Sequence, residues 1–189
     1  MGEQRKPRAD ALKNRARLID AARVILGNGG PGASLEAVAR AAEVGIGTLY
    51  RHFPTREALF EAVYQHEVEQ LIALAEELGT AEDPVDALRQ WLHALVGLVS
   101  TKRGLLGTLA VSHSDAAQAL FDVLRTRLAA AVGALIARAV AEGRVRPDVD
   151  AEDLLGSVYA LCNARPPGEG WKDGTLRLID IFLDGMALS

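Results

Sequence analysis

The sequence predicts an all-α protein of about nine helices, a three-helix head followed by a larger helical body. Three observations lead there. Apolar residues recur at the three- and four-residue spacing of a helix through most of the chain, and no stretch alternates with the period of two that a half-buried strand needs. Glycine- and proline-rich stretches at residues 27–32 and 165–170 break that pattern cleanly. Residues 34–60, SLEAVARAAEVGIGTLYRHFPTREALF, hold two short helical patterns joined by a tight turn.

In chain order, residues 10–27 make the first helix, with Leu12, Ala16, Ile19, Ala22, Val24, Ile25 and Leu26 marking its packed side. The glycine-rich loop after it has no preceding strand and no Lys-Ser/Thr ending, so it is a connector rather than a phosphate cradle. Leu35, Val38, Ala39 and Ala42 then mark one compact helix that Ser34 caps. Residues 43–47 turn the chain, with Gly45 expected to take the positive φ of the reversal. A second short helix spans about 47–53, with Ile46, Leu49 and Phe53 on its packed face and Thr48, Arg51 and His52 largely off it. Pro54 ends it, and Thr55 caps a long helix from 56 to about 78 with Leu59, Val63, Val68, Leu71, Ile72 and Leu78 inward.

Two helices at a sharp angle, the second opening with small residues, fit the geometry of a helix-turn-helix that reads the DNA major groove. Gly47 has no side chain to hold the helix off the groove floor, and Thr48 offers a hydroxyl and a methyl to base edges. Tyr50, Arg51, His52 and Arg56 are donors suited to phosphate oxygens. The run A-x-x-x-G-I-G-T-L-Y-R-H-F-P-T-R-E-A-L, residues 41–59, resembles the DNA-binding domain of the tetracycline-repressor (TetR) family. The likeness is close over the first sixty or so residues and continues beyond them as length and helical pattern. It implies a DNA-binding domain at 1–60, with a basic arm at 1–9, and an effector-binding and dimerisation domain at 61–189. It also implies DNA contacts at Ser34, Gly47, Thr48, Tyr50, His52 and Arg56, the last standing where lysine is commoner. Each has a plainer role beside it: Ser34 as a helix cap, Tyr50 as cover for the small core, His52 as a surface residue.

Charge supports the division. The chain carries a net −4, yet residues 1–60 hold ten Lys and Arg against six Asp and Glu, while residues 61–189 hold eleven against nineteen. The head's excess lies in its first seventeen residues, where Arg5, Lys6, Arg8, Lys13, Arg15 and Arg17 face only Glu3 and Asp10. Such an arm neutralises phosphates and makes affinity strongly salt-dependent; as a solvated tail it still adds to the local field.

In the body, Asp83-Pro84 reads as an N-cap and first helical residue, opening a helix to about 100 that is apolar on several sides through Leu88, Trp91, Leu92, Leu95, Val96 and Val99. Gly104 and Gly107 suggest a short or broken helix at 101–111. A long helix at 114–142 follows, with Phe121, Leu124, Leu128, Val132, Leu135 and Ile136 inward and Gly143 as its stop. Asp150 or Asp148 caps a helix at 151–164, and a last helix runs from about 173 to 187. Leu154, Leu155, Val158, Leu176, Ile179, Phe182, Leu183 and Met186 give these two helices apolar faces too wide for one neighbour, so they are expected to pair with a second copy as a four-helix bundle.

No catalytic or cofactor pattern emerges. His52, His66, His93 and His113 are scattered without metal-ligand spacing, and Cys162 is alone and sits in an apolar pattern. No apolar run reaches bilayer length and the N-terminus is charged, which predicts a cytoplasmic protein with no membrane partner and no cofactor. A small-molecule pocket is expected among Trp91, His93, Leu95, Leu109, His113, Phe121 and Leu124, placed by helical register, with a dry core as the alternative. The reading is a homodimeric repressor, not an enzyme, that binds a palindromic DNA operator and is released by a small-molecule effector. An activator, or a nucleoid-type binder without a ligand, is the rival.

Overall fold

In the computed structural model, residues 5–27, 32–109, 115–164, 168 and 170–188 are described. They form eight helices: α1 (Arg5–Gly27), α2 (Leu35–Ala41), α3 (Ile46–His52), α4 (Arg56–Leu78), α5 (Pro84–Leu109), α6 (Asp115–Ala141), α7 (Ala151–Asn163) and α8 (Trp171–Met186). The count is eight rather than about nine because α5 continues unbroken through Gly104 and Gly107 to Leu109. Two compact units result, one from Met1–His66 with Thr101–Ser114, the other from Glu67–Ser100 with Asp115–Ser189. A division at residue 60 therefore leaves out the end of α5, which belongs with the head.

The head is built on α1, whose Leu18, Ile19, Ala22 and Leu26 are buried together with Leu35, Val38 and Ala39 of α2 and Leu49 of α3. Three residues expected on the packed side of α1 are instead exposed, Ala16, Leu12 at 66 % and Val24 at 50 %. Val24 projects opposite the Leu18, Ala22 and Leu26 stripe, and the wide exposure of Leu12 shows that no described residue covers it. Phe60 and Tyr64 of α4 stack at 6.2 Å within this core, and the Lys102 ammonium of α5 lies 4.9 Å from the Tyr64 ring. Burial pushes the Lys102 pKa down from its ordinary value.

The body centres on the first four turns of α5, where Leu88, Trp91, Leu92, Leu95 and Val96 are fully buried. Its start is capped as expected: the Asp83 carboxylate accepts from the backbone N–H of Val85 at 2.8 Å and of Asp86 at 3.2 Å. The indole N–H of Trp91 donates to the Leu71 carbonyl at 2.9 Å, so the largest core side chain buries no unmet polar group. Arg138 of α6 donates to the carbonyls of Gly79 (3.0 Å) and Ala81 (2.5 Å), satisfying acceptors just past the end of α4.

Gly143, at φ +68, ends α6. Asp150 rather than Asp148 caps α7, accepting from Glu152 and Asp153, because it directly precedes the first helical residue; Asp148 pairs with Arg146. After α8 the chain returns to the α6–α7 loop in a single antiparallel bridge between Val145 and Ala187, with the Leu188 N–H donating to Arg144 at 2.9 Å. Among the described residues this is the extent of β pairing.

Candidate nucleic-acid interface

The turn between α2 and α3 is made differently from the sequence expectation. Gly45 has φ −71 and serves as the N-cap of α3, while Glu43 carries the positive φ, +53. The cause is the hydrogen-bond pattern that closes α2. Glu43 N–H donates to Arg40 and Val44 N–H to Ala39, which puts the residue after the cap in the left-handed region whatever its identity. Arg17 of α1 pairs with the Glu43 carboxylate and holds the turn against the first helix.

From there α3 is fixed by two anchors, Leu49 at 1 % exposure and Phe53 at 2 %, with the Arg15 guanidinium 5.3 Å above the Phe53 ring. At about 100° per residue the side opposite those anchors belongs to Gly47 and Arg51, with Thr48 and His52 on one flank and Ile46 and Tyr50 on the other. Gly47 is exposed, and a Cβ built on it meets nothing within 4 Å. Arg51 folds back along the helix, donating from Nε to the Gly47 carbonyl at 3.2 Å and from Nη2 to Thr48 Oγ1 at 2.9 Å. Tyr50 is 48 % exposed. His52 is half-buried and tilts against Phe53 at 6.4 Å. Arg56 is exposed at the start of α4, which Thr55 caps through Ala58 N–H at 3.1 Å.

Of the residues singled out from sequence, Gly47, Thr48, Tyr50, Arg51 and His52 thus share one short helix, with Arg56 at the start of the next. Ser34 is half-buried and its hydroxyl oxygen accepts from Ala37 N–H at 3.1 Å, so it acts first as a cap. Ile46, expected to pack, is 38 % exposed instead. It shares a face with Leu49 but lies at the very start of the helix, where no turn stands before it to carry it over the core.

Two stretches of the chain match known families. Residues 18–63 match the bacterial regulatory proteins of the tetR family, and residues 83–188, more than half the chain, match the SbtR-like transcriptional regulator C-terminal domain. The chain belongs to the TetR family. It is 34 % identical to a TetR transcriptional regulator from Streptomyces coelicolor, with TM-score 0.74 over 93 % of this chain and 99 % of that one. It is 32 % identical to a TetR transcription regulatory protein from Mycobacterium vanbaalenii, with TM-score 0.72 over 96 % and 99 %. The HTH-type transcriptional regulator UidR of Escherichia coli K12 is 37 % identical over 65 residues, which span 34 % of this chain and about a third (33 %) of UidR. This TetR-family protein is therefore a DNA-binding transcriptional regulator and not an enzyme. No helix among its described residues is long and apolar enough to cross a membrane.

In the body, four of the residues expected to line a pocket lie in the core. Trp91 and Leu95 are 0 %, Leu124 2 % and Phe121 9 % exposed, packed as core. His93 is half-buried with Nε2 2.8 Å from Asp180 Oδ1, an atom that Arg89 also reaches at 2.8 Å. Burial raises the Asp180 pKa, and the hydrogen bonds from His93 and Arg89 outweigh it, so the net shift is downward. His113 and the Leu109 side chain lie outside the described residues. Helical register placed Trp91, Leu95, Phe121 and Leu124 inward, and it carries direction without volume. Two grooves lie elsewhere. One of about 550 Å³ runs between α4 and α6 over Ile72, Ala75, Ala131, Ala134 and Leu135, with Glu76 and Arg127 at its edges. The other, about 510 Å³, lies between α7 and α8 and includes Leu154, Ser157, Ile181 and Phe182.

Of the eight residues expected to pair with a second copy, Leu154, Leu155, Val158, Ile179, Leu183 and Met186 are buried within the chain itself. Leu176 is half-buried and Phe182 is 42 % exposed. The exposed large apolar residues of α8 are Leu178, Ile181 and Phe182. The hydrophobic pattern marked both the intrachain and the outward stripes of the helix and could not separate them.

Proposed function

We propose that the protein is a homodimeric repressor that holds one α3 in each half of a palindromic operator and is released by a small-molecule effector. The observation that carries this reading is the outward side of α3: an unobstructed Gly47 flanked by Thr48, Tyr50, Arg51 and His52. Ser34 and Arg56 add phosphate contacts from the neighbouring helix starts.

Doubling is supported by α8, where Leu178, Ile181 and Phe182 stand three and four residues apart and form one exposed apolar stripe. Stacked against the same stripe of a second chain, α7 and α8 complete a four-helix bundle. Effector response is supported by the α4–α6 groove, which is apolar along its floor and lies on a helix that runs without a break to Arg56. The effector must favour the arrangement that misfits the operator, since equal affinity for both states shifts nothing.

Selection of bound DNA from a random pool at physiological salt, followed by release trials with small molecules, tests the reading. A recovered palindrome bound at least about a thousandfold more tightly than random DNA supports it. Near-equal affinity for both would assign the protein to nonspecific architectural binding instead.

A further inference from the structure

Ile46 is an exposed residue of α3 with no polar group to offer water, unlike Tyr50 beside it. It is apolar and β-branched, yet 38 % of it is open, while Leu49 and Phe53 on the buried side are closed to 1 % and 2 %. A lone exposed apolar residue needs no explanation on an ordinary surface. Here it adjoins the open Gly47 at the N-terminal end of α3, the end that a recognition helix presents to base edges.

We propose that Ile46 is a base-reading residue that recognises the C5-methyl group of a thymine in the operator half-site. The inference rests on α3 being the DNA-facing helix. An isoleucine side chain neither donates nor accepts a hydrogen bond, and the thymine methyl is the apolar feature that the major groove presents on its base edges. A β-branched side chain has few χ1 states to lose on contact, so the interaction costs little ordering entropy. Thr48 fits the same mode. Its Oγ1 accepts from Arg51 at 2.9 Å, which fixes its rotamer and so the direction of its methyl. Readout at this end of α3 is therefore by apolar shape, and Arg51 contributes by orienting Thr48 rather than by a fork on guanine.

The test uses the full-length protein and the half-site recovered from the random pool. Each thymine is replaced in turn by deoxyuridine, which removes only the methyl group, and Kd is measured for the unaltered protein and for Ile46→Ala. One deoxyuridine position is expected to weaken the unaltered protein roughly 3- to 10-fold, the effect of losing one buried methyl contact. Ile46→Ala binds thymine at that position as weakly as the unaltered protein binds deoxyuridine, and is indifferent to the replacement. Because Ile46 is exposed, the variant folds, and its unfolding midpoint checks this. If no deoxyuridine position matters, or if the sensitive position remains equally sensitive in Ile46→Ala, the proposal is overturned while the regulator reading stands. If no sequence is preferred over the pool, both fall.

Discussion

The Gly27 carbonyl at the end of α1 occupies the space that a Cβ on Gly104 of α5 would need, and the Gly27 Cα would be 2.9 Å from that atom. The close approach is why α5 carries a glycine in its interior there despite the helix penalty, and it seats the end of α5 in the head unit.

Gly104→Ala is therefore expected to lower stability by about 3 kcal/mol, since backbone rather than a flexible side chain must move. Gly97→Ala, in the same helix but with nothing within 4 Å, is expected to raise it by up to about 1 kcal/mol. Urea midpoints of the two variants, compared with the unaltered chain, decide the matter; a tolerated Gly104→Ala would contradict the contact.

Glu43→Gly relieves a left-handed residue and is expected to gain up to about 1 kcal/mol, reduced by the loss of its exposed pair with Arg17. Gly45→Ala, at φ −71 and in open space, is expected to change stability by no more than about 0.5 kcal/mol. Thermal unfolding of both separates them, and a large loss at Gly45 would mean that the turn is made there after all.

Thr48→Ala is expected to alter which operator variants are preferred, whereas Arg56→Ala weakens binding to all sequences alike and reduces the salt slope by about one ion. Titrations across a panel of operator variants at several salt concentrations read both effects. Unchanged relative affinities for Thr48→Ala would remove it from base readout.

The backbone N–H groups of Asp86 and Val85 hold the Asp83 carboxyl below its ordinary 3.8, and the Arg144 guanidinium adds to this against a small opposing effect of burial. A depressed folded pKa means that the contribution is present above the unfolded value and lost as pH falls through the folded one. Asp83→Asn keeps a capping side chain but cannot titrate, so its stability is expected to fall less between pH 5 and pH 2. Equal acid limbs in denaturant midpoints would rule this out.

Phe182→Glu places a charge on the exposed stripe of α8 without disturbing a buried residue. It is expected to shift the protein toward monomer in sedimentation at micromolar concentration and to weaken operator binding more than tenfold, because half-sites are then held singly. An unchanged sedimentation profile would place the interface elsewhere.

The sequence by itself determined the all-helical class, the bounds of α4, α6 and α7 to within a residue or two, the caps at Ser34, Thr55 and Asp83, and the grouping of Thr48, Tyr50, Arg51 and His52 on one short helix. These are local properties, set by spacing and by side chains that bond backbone a few residues away. Tertiary structure decided the rest. The positive φ fell on Glu43 because the end of α2 dictates it, and α5 continued through Gly104, a glycine that the Gly27 backbone against it requires rather than a helix break. The outward stripe of α8 narrowed to Leu178, Ile181 and Phe182 once Ile179, Leu183 and Met186 were buried within the body. Trp91 and Leu95 are fully buried because volumes from distant helices fit together around them, and helical periodicity carries direction but no volume.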